Sequence, residues 1–197
     1  MSTPATDELD RQDVAKLAAG HDAALNDLMS RHAERLVHYL LRLLQNESEA
    51  ADAAEESFVR VYQNRGRFKP QYKFSTWLYT IATNLARDRQ RQRARHPQVS
   101  LEAENADTGQ NFRETLPETN PNPGEQLETV ERAEVVRRAV AALPEELRLP
   151  LVLATYEEKS HAEIAVILDC SAKAVEMRIY RARQELRAQL ASLLPAL

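Results

Sequence analysis

Aromatic and basic side chains crowd together in residues 68–95, although aromatic residues make up only 6% of the chain. The first part of this stretch interleaves rings with lysines, and these residues are Phe68, Lys69, Tyr72, Lys73, Phe74 and Trp77. The second part carries an arginine at every other position from Arg87 to Arg95. Rings beside cations suit single-stranded nucleic acid, because exposed bases stack on the rings while the cations pair with phosphates. The composition alone equally allows a core helix with a solvated basic face.

The same stretch predicts one long helix. Ser75 can cap it, and neither Gly nor Pro follows before about Arg95. Leu78, Ile81 and Leu85 share one face, which we expect to be buried. The other face carries donors for phosphates and base edges, and these are Thr76, Thr80, Asn84, Arg87 and Arg91.

The composition favours an all-α protein of one or two small domains. The chain has 197 residues, 43% of them hydrophobic, only four Gly and a net charge of −4. Acidic and basic residues are strongly segregated along the chain, which the net charge does not reveal. The single Cys170 excludes an internal disulfide and fits a reducing cytoplasm. The polar, acidic start does not resemble a signal peptide, and no apolar run approaches the roughly 20 residues needed to span a bilayer.

Helices are also predicted before this stretch. Residues 1–9 are expected to be disordered, and a short helix should run from Asp10 to Gly20. Apolar residues from Leu25 to Leu43 have the spacing of an amphipathic helix. Asn46 predicts the capped start of the next helix, which residues 64–67 break.

The second part of the chain predicts a helix-turn-helix. Residues 97–126 are acidic and rich in Pro and Asn near their end, which indicates a flexible linker. A helix should then run to Leu143, and Pro144 should open the next one at its first position. Ser160 and Glu163 form a predicted capping box, and Ser171 should cap the final helix after a short turn.

Residues 74–88, Phe-Ser-Thr-Trp-Leu-Tyr-Thr-Ile-Ala-Thr-Asn-Leu-Ala-Arg-Asp, closely resemble the promoter-melting segment of bacterial sigma factors. The match is to the extracytoplasmic-function (ECF) subgroup of the sigma-70 family. The resemblance implies that the preceding loop, with Tyr72 and Lys73, captures a base flipped out of the minus-ten element. Extracting a base costs a few kcal/mol, which a pocket recovers by stacking and hydrogen bonding. The implied pocket residues are Arg60, Asn64, Phe68, Ile81 and Asn84. The resemblance also implies that Trp77 supports the DNA at the point where its strands separate, and that Arg87 and Arg91 bind phosphates.

Residues 52–62, Asp-Ala-Ala-Glu-Glu-Ser-Phe-Val-Arg-Val-Tyr, resemble the family segment that docks on the clamp helices of the polymerase β′ subunit. By this resemblance the polymerase contacts are Asp52, Glu55, Glu56 and Phe58. Without it, the same residues read as an ordinary solvated acidic face.

Three later motifs resemble the σ4 domain of the same family: Leu-Pro-Glu-Glu-Leu-Arg, Ser-His-Ala-Glu-Ile-Ala and Arg-Ile-Tyr-Arg-Ala-Arg. The implied minus-thirty-five contacts are Ser171, Lys173, Glu176, Met177, Tyr180, Arg181 and Arg183. The chain departs from the family where Lys173-Ala174-Val175 replaces the frequent Gly-Thr-Val, and where Glu176 and Met177 replace a basic and a small residue. These departures affect the promoter sequence that is read and not the mode of binding.

The resemblance predicts a σ2-like unit at 10–96, a linker at 97–126 and a σ4-like unit at 127–192. The implied function is transcription initiation in a stress response, with core RNA polymerase (β′ clamp helices and β flap) and promoter DNA as partners. An anti-sigma factor is a further implied partner, which can hold the otherwise cytoplasmic protein at the inner membrane. No cofactor or metal is expected.

Two other classes of function fit the sequence less well. A polymerase-independent helix-turn-helix regulator usually needs a dimer interface, and the sequence offers no heptad or spare apolar helix for one. An enzyme is not supported, because no Gly-rich phosphate loop, metal cluster or nucleophile motif is present. Glu55 and Glu56 are adjacent and point to different sides, so they are a poor general acid/base pair.

Overall fold

The computed structural model of this protein describes residues 4–95 (the first half) and 123–193 (the second half), and all regular structure in these ranges is helical. The first half contains α1 (Pro4–Ala18), α2 (Ala23–Leu44), α3 (Glu47–Gln63), a 3-10 turn (Arg65–Arg67) and α4 (Phe74–Arg95). The second half contains α5 (Pro123–Ala142), α6 (Glu145–Thr155), α7 (His161–Leu168) and α8 (Ala172–Leu193). The all-α prediction is therefore confirmed.

The core of the first half lies between α2, α3 and α4. Leu36, Tyr39 and Leu40 of α2 are fully buried, as their 3–4 spacing predicts. Asn46 caps α3 as expected, since its side-chain oxygen accepts the Glu49 N–H at 2.9 Å. Leu78 of α4 completes this core.

The prediction of disorder over residues 1–9 is wrong for residues 4–9, because α1 already begins at Pro4, and residues 1–3 lie outside the described range. Buried ion pairs fasten this helix to α2. Arg31 donates to Asp10 at 2.9 Å and to Asp13 at 2.6 Å, and His32 Nε2 lies 2.8 Å from the second oxygen of Asp10. These partners are distant in sequence, so local periodicity carries no sign of them. Gly20, where the sequence predicts the end of this helix, has a φ of +92°, a conformation that favours glycine.

The start of α4 also differs from the prediction. The helix begins at Phe74, so Ser75 is not its cap. Ser75 lies within the first turn, only 2% exposed, and its hydroxyl accepts a hydrogen bond from Lys159 Nζ of the second half at 2.7 Å. A tertiary partner has thus taken the hydroxyl that we expected to cap the helix.

The linker prediction falls mostly on residues outside the described ranges. Its last four residues, however, are the first turn of α5, which begins at Pro123. Proline is tolerated there, because the N–H it lacks would have no partner in the first turn. Pro144 occupies the N-cap of α6, one position before the predicted one.

The helix-turn-helix of the second half has the predicted local features. Ser160 and Glu163 form a complete capping box at the start of α7. The Ser171 hydroxyl accepts the Ala174 N–H at 3.1 Å and so caps α8. Val175 and Ile179 of α8 are buried against α6 and α7. No helix within the described ranges is long and apolar enough to cross a membrane.

We predict that Asp10→Ala lowers the free energy of unfolding by about 1–3 kcal/mol, because it removes the carboxylate beside His32 and one of the two carboxylates that accept from Arg31. Urea denaturation measures this change. Glu8→Ala is the matched control, since Glu8 lies in the same helix with its side chain 58% exposed. Equal midpoints for the two variants would show that the contacts of Asp10 with α2 contribute nothing to stability.

Candidate nucleic-acid interface

Three rings form an aromatic corner where the chain enters α4. The Phe68 and Trp77 ring centroids lie 5.4 Å apart, and Phe74 meets Trp77 edge-on at 6.2 Å. Phe74 is 1% exposed and forms the floor of the corner, whereas Phe68 and Trp77 are half-buried above it. Tyr72 is more exposed, at 37%. The structure therefore brings together the rings that the sequence predicts to stack on bases.

The loop below this corner is held by local contacts. The Asn64 amide donates to the Arg60 carbonyl at 2.9 Å, which closes the end of α3. The Arg65 guanidinium lies 4.4 Å from the centre of the Tyr62 ring. Two of these residues, Arg65 and Tyr62, are not among the predicted site residues. Arg60 is held by Glu56, whose Oε1 accepts from Nη2 at 2.6 Å and from Nε at 3.1 Å.

The polar face of α4 is only partly as predicted. Asn84 is exposed, and Thr80 and Ile81 are half-buried beside it. Thr76 was expected on this face, and that expectation is wrong, because its side chain is 2% exposed. Helix α7 packs against α4, and this contact removes the start of α4 from solvent.

The arginines of α4 divide into two groups. Arg89 and Arg93 fasten α4 to the corner between α2 and α3. Arg89 donates to the Glu49 carbonyl at 2.5 Å. Arg93 donates to the Leu44 carbonyl at 3.2 Å and pairs with the Glu49 carboxylate. Arg87 pairs with Glu145 of α6 at 2.9 Å. Arg91 is exposed and reaches only Asp88, at 3.9 Å. Part of the basic run is therefore structural.

One face of α3 presents acidic and apolar groups to solvent. Asp52 and Glu55 are exposed, and Val59, which follows on the same face, is 51% exposed. The assignment of Phe58 to the polymerase surface is wrong for its side chain, which is 3% exposed and packs in the core. Glu56 is engaged with Arg60 and also with Arg89 at 3.3 Å. Sequence reasoning missed Val59, although its spacing from Glu55 is a usable signal.

The outer face of α8 carries every residue predicted there. Val175, Ile179 and Ala182 face the core. The predicted contact residues lie on the opposite, solvent-exposed side, and they are Lys173, Glu176, Met177, Tyr180, Arg181 and Arg183. Lys173 Nζ donates to Glu176 Oε2 at 2.9 Å, and this hydrogen bond holds the pKa of Glu176 below its usual range. Glu176 is therefore an ionised acceptor at neutral pH.

Comparison with known proteins identifies the family. Sigma-70 region 2 matches residues 28–96, and sigma-70 region 4 matches residues 133–186. The chain is 34% identical to the ECF RNA polymerase sigma factor SigW of Bacillus subtilis, over 91% of this chain and 96% of that protein. It is 30% identical to the RNA polymerase sigma-H factor of Pseudomonas aeruginosa, over 96% and 97% of the two chains.

A solved structure agrees with these relatives. CnrH, in complex with the cytosolic domain of CnrY, superposes with a TM-score of 0.67 at 27% identity, over 93% of this chain and 98% of that one. The chain therefore belongs to the sigma-70 family of transcription initiation factors, and within it to the extracytoplasmic-function subgroup.

We predict that Arg89→Ala lowers the free energy of unfolding by about 1–2 kcal/mol, because it removes a charged donor from a backbone carbonyl and from Glu56. Arg91→Ala should stay within about 0.5 kcal/mol of wild type, since this side chain is exposed. Thermal and urea unfolding of the two variants measure the difference. Equal stability would contradict the division of the arginines into structural and solvent-facing groups.

Proposed function

We propose that this chain binds core RNA polymerase, directs it to specific promoters and helps to separate the strands of the minus-ten region. The observation that carries the proposal is the presence, in one chain, of the aromatic corner within the region 2 match and the helix-turn-helix within the region 4 match. The proposed units are 10–96, extended to include all of α1, and 127–192, joined by 97–126. A helix-turn-helix regulator that works without polymerase has no use for a region 2 unit.

The proposed polymerase contact is the exposed face of α3. Asp52 and Glu55 offer charge, and the neighbouring Val59 offers apolar area that would be buried in a complex. Protein interfaces commonly combine an apolar centre with a polar rim. Glu56 contributes indirectly, because it joins Arg60 and Arg89 and so holds the face in place.

The proposed minus-ten contact is the aromatic corner with the groups around it. Phe68 and Trp77 offer ring faces on which unpaired bases stack. The amide of Asn84, on the exposed side of α4, can read a base edge. Phosphates of the separated strand would meet Lys73 next to the corner and then Arg87 and Arg91 further along α4.

The proposed minus-thirty-five contact is the solvent side of α8, which enters the major groove with its first turns. The carboxylate of Glu176 can accept a hydrogen bond from a cytosine amino group, and Met177 and Arg181 lie on the same exposed side. We assign Arg183 to a phosphate. The core polymerase supplies the catalytic site, so no catalytic residue is assigned to this chain.

An anti-sigma factor is a further proposed partner. CnrH, which has the same fold, is solved in complex with the cytosolic domain of CnrY. We propose that a partner of this kind regulates the present chain in the cytoplasm and can retain it at the inner membrane.

Run-off transcription with purified core polymerase tests the proposal. We predict specific transcripts with the wild-type protein, and none with the double variant Asp52→Arg/Glu55→Arg, because charge reversal opposes docking of α3. Asp27→Arg/Glu34→Arg, an equal charge change on exposed positions of α2, is the matched control and should transcribe normally. The absence of transcripts with wild type would refute the function, whereas full activity of the α3 variant would only remove this face from the interface.

We predict that Phe68→Ala slows open-complex formation by about one to two decades, because stacking contributes roughly 1–3 kcal/mol per base and 1.4 kcal/mol is tenfold. Permanganate footprinting on a linear promoter measures strand separation. Phe68→Tyr keeps a ring and should restore melting, and a template opened in advance should remove the defect of Phe68→Ala. Equal melting by Phe68→Ala and wild type on closed duplex would show that Phe68 only supports Trp77.

A further inference from the structure

The solvent side of α8 combines a carboxylate with two large apolar side chains. Met177 is 41% exposed and Tyr180 is 58% exposed. Tyr180 follows Met177 by three residues and Glu176 by four, so the three side chains are neighbours on the helix surface. They share one groove, which is lined by His161, Glu176, Met177, Ile179, Tyr180 and Arg183.

The carboxylate of Glu176 is arranged to accept one further hydrogen bond. Lys173 Nζ donates to its Oε2 atom at 2.9 Å, and among the described residues no hydrogen bond reaches Oε1. Because this partner keeps the pKa of Glu176 below its usual range, the group is ionised at neutral pH and can only accept. A base that meets Oε1 must therefore offer a donor.

Cytosine is the base that suits this carboxylate in the major groove. Its amino group is the only polar group that it presents there, and this group is a donor. Guanine presents two acceptors, thymine presents one, and adenine places an acceptor next to its amino group. Each of these acceptors would repel an ionised carboxylate, so Glu176 favours cytosine over the other three bases.

The apolar side chains require a second group beside that amino group. Met177 and Tyr180 gain from burial only against an apolar surface, since burying an amino group or a phosphate against them would cost free energy. The apolar group that the major groove exposes is the C5 methyl of thymine. A cytosine methylated at C5 carries the same methyl, on the ring atom next to the one that bears its amino group.

We propose that Glu176, Met177 and Tyr180 together read a cytosine amino group that lies beside a pyrimidine methyl group. The methyl belongs either to a neighbouring thymine or to the cytosine itself when it is 5-methylated. The proposal rests on the proposed minus-thirty-five contact and specifies what that contact selects. The carboxylate fixes the position of the cytosine, and the apolar pair makes the affinity depend on a single methyl group.

The test uses holoenzyme formed from core polymerase and the full-length chain. Holoenzyme first selects duplexes from a library randomised at both promoter elements, and the selected duplex becomes the probe. Uracil then replaces the thymine next to the upstream cytosine, which deletes only the methyl. A third duplex keeps this uracil and carries 5-methylcytosine in place of the cytosine. Competition gel shifts give the relative affinities.

We expect wild type to bind the thymine duplex about fourfold more tightly than the uracil duplex, which is the effect of burying about one methyl group. Met177→Gln should abolish this preference, whereas Met177→Leu, which remains apolar, should retain it. Replacing the C·G pair by T·A should cost wild type about tenfold in affinity and Glu176→Gln much less. Circular dichroism establishes that each variant is folded.

The uracil and 5-methylcytosine duplexes identify the source of the methyl. A loss with uracil alone assigns it to thymine, and a gain with 5-methylcytosine assigns it to the cytosine. The proposal would be overturned if wild type bound all three duplexes equally, if Met177→Gln kept the wild-type preference, or if the selected upstream element lacked a cytosine.

Run-off transcription separates this failure from failure of the proposed function. Specific transcripts from wild type, together with any of those three results, would leave the function standing and remove only the methyl readout. If wild type produced no specific transcripts, the function would fail and the readout would fail with it.

Discussion

The burial of a charged carboxylate, that of Glu157, determines how the two halves of this chain meet. Its side chain is 1% exposed, and its partners are Tyr79, Arg35 and Arg42. A carboxylate removed from water needs such partners. Removal of one partner of a buried ion pair is strongly destabilising, because it leaves the other charge buried without compensation. The helices that supply them, α2 and α4, also build the core of the first half. The helices that form this core therefore also carry the groups that position the second half.

Competition for cations recurs throughout the first half. Its arginines and lysines are shared among three tasks: fastening helices, pairing with the second half and facing solvent. Arg89 and Arg93 join α4 to the α2–α3 corner, Arg87 pairs with Glu145, and Arg91 remains exposed. A basic run in a sequence therefore overstates the positive surface that phosphates can reach. Those side chains that stay accessible, or become so when an ion pair opens, are the ones that can bind nucleic acid.

Features determined by residues close in sequence could be predicted. The caps at Asn46, Ser160 and Ser171 depend on a donor three residues away, and the buried face of α8 depends on helical spacing alone. The aromatic corner could also be predicted, because its rings cluster within a short stretch.

Features that depend on distant partners were missed. Helix α1 is fastened to α2 by a cation that pairs with its buried acids, and Ser75 fails to cap α4 because Lys159 takes its hydroxyl. Phe58 was also assigned incorrectly. The family resemblance placed it on the polymerase-binding surface, but its side chain points from α3 into the core.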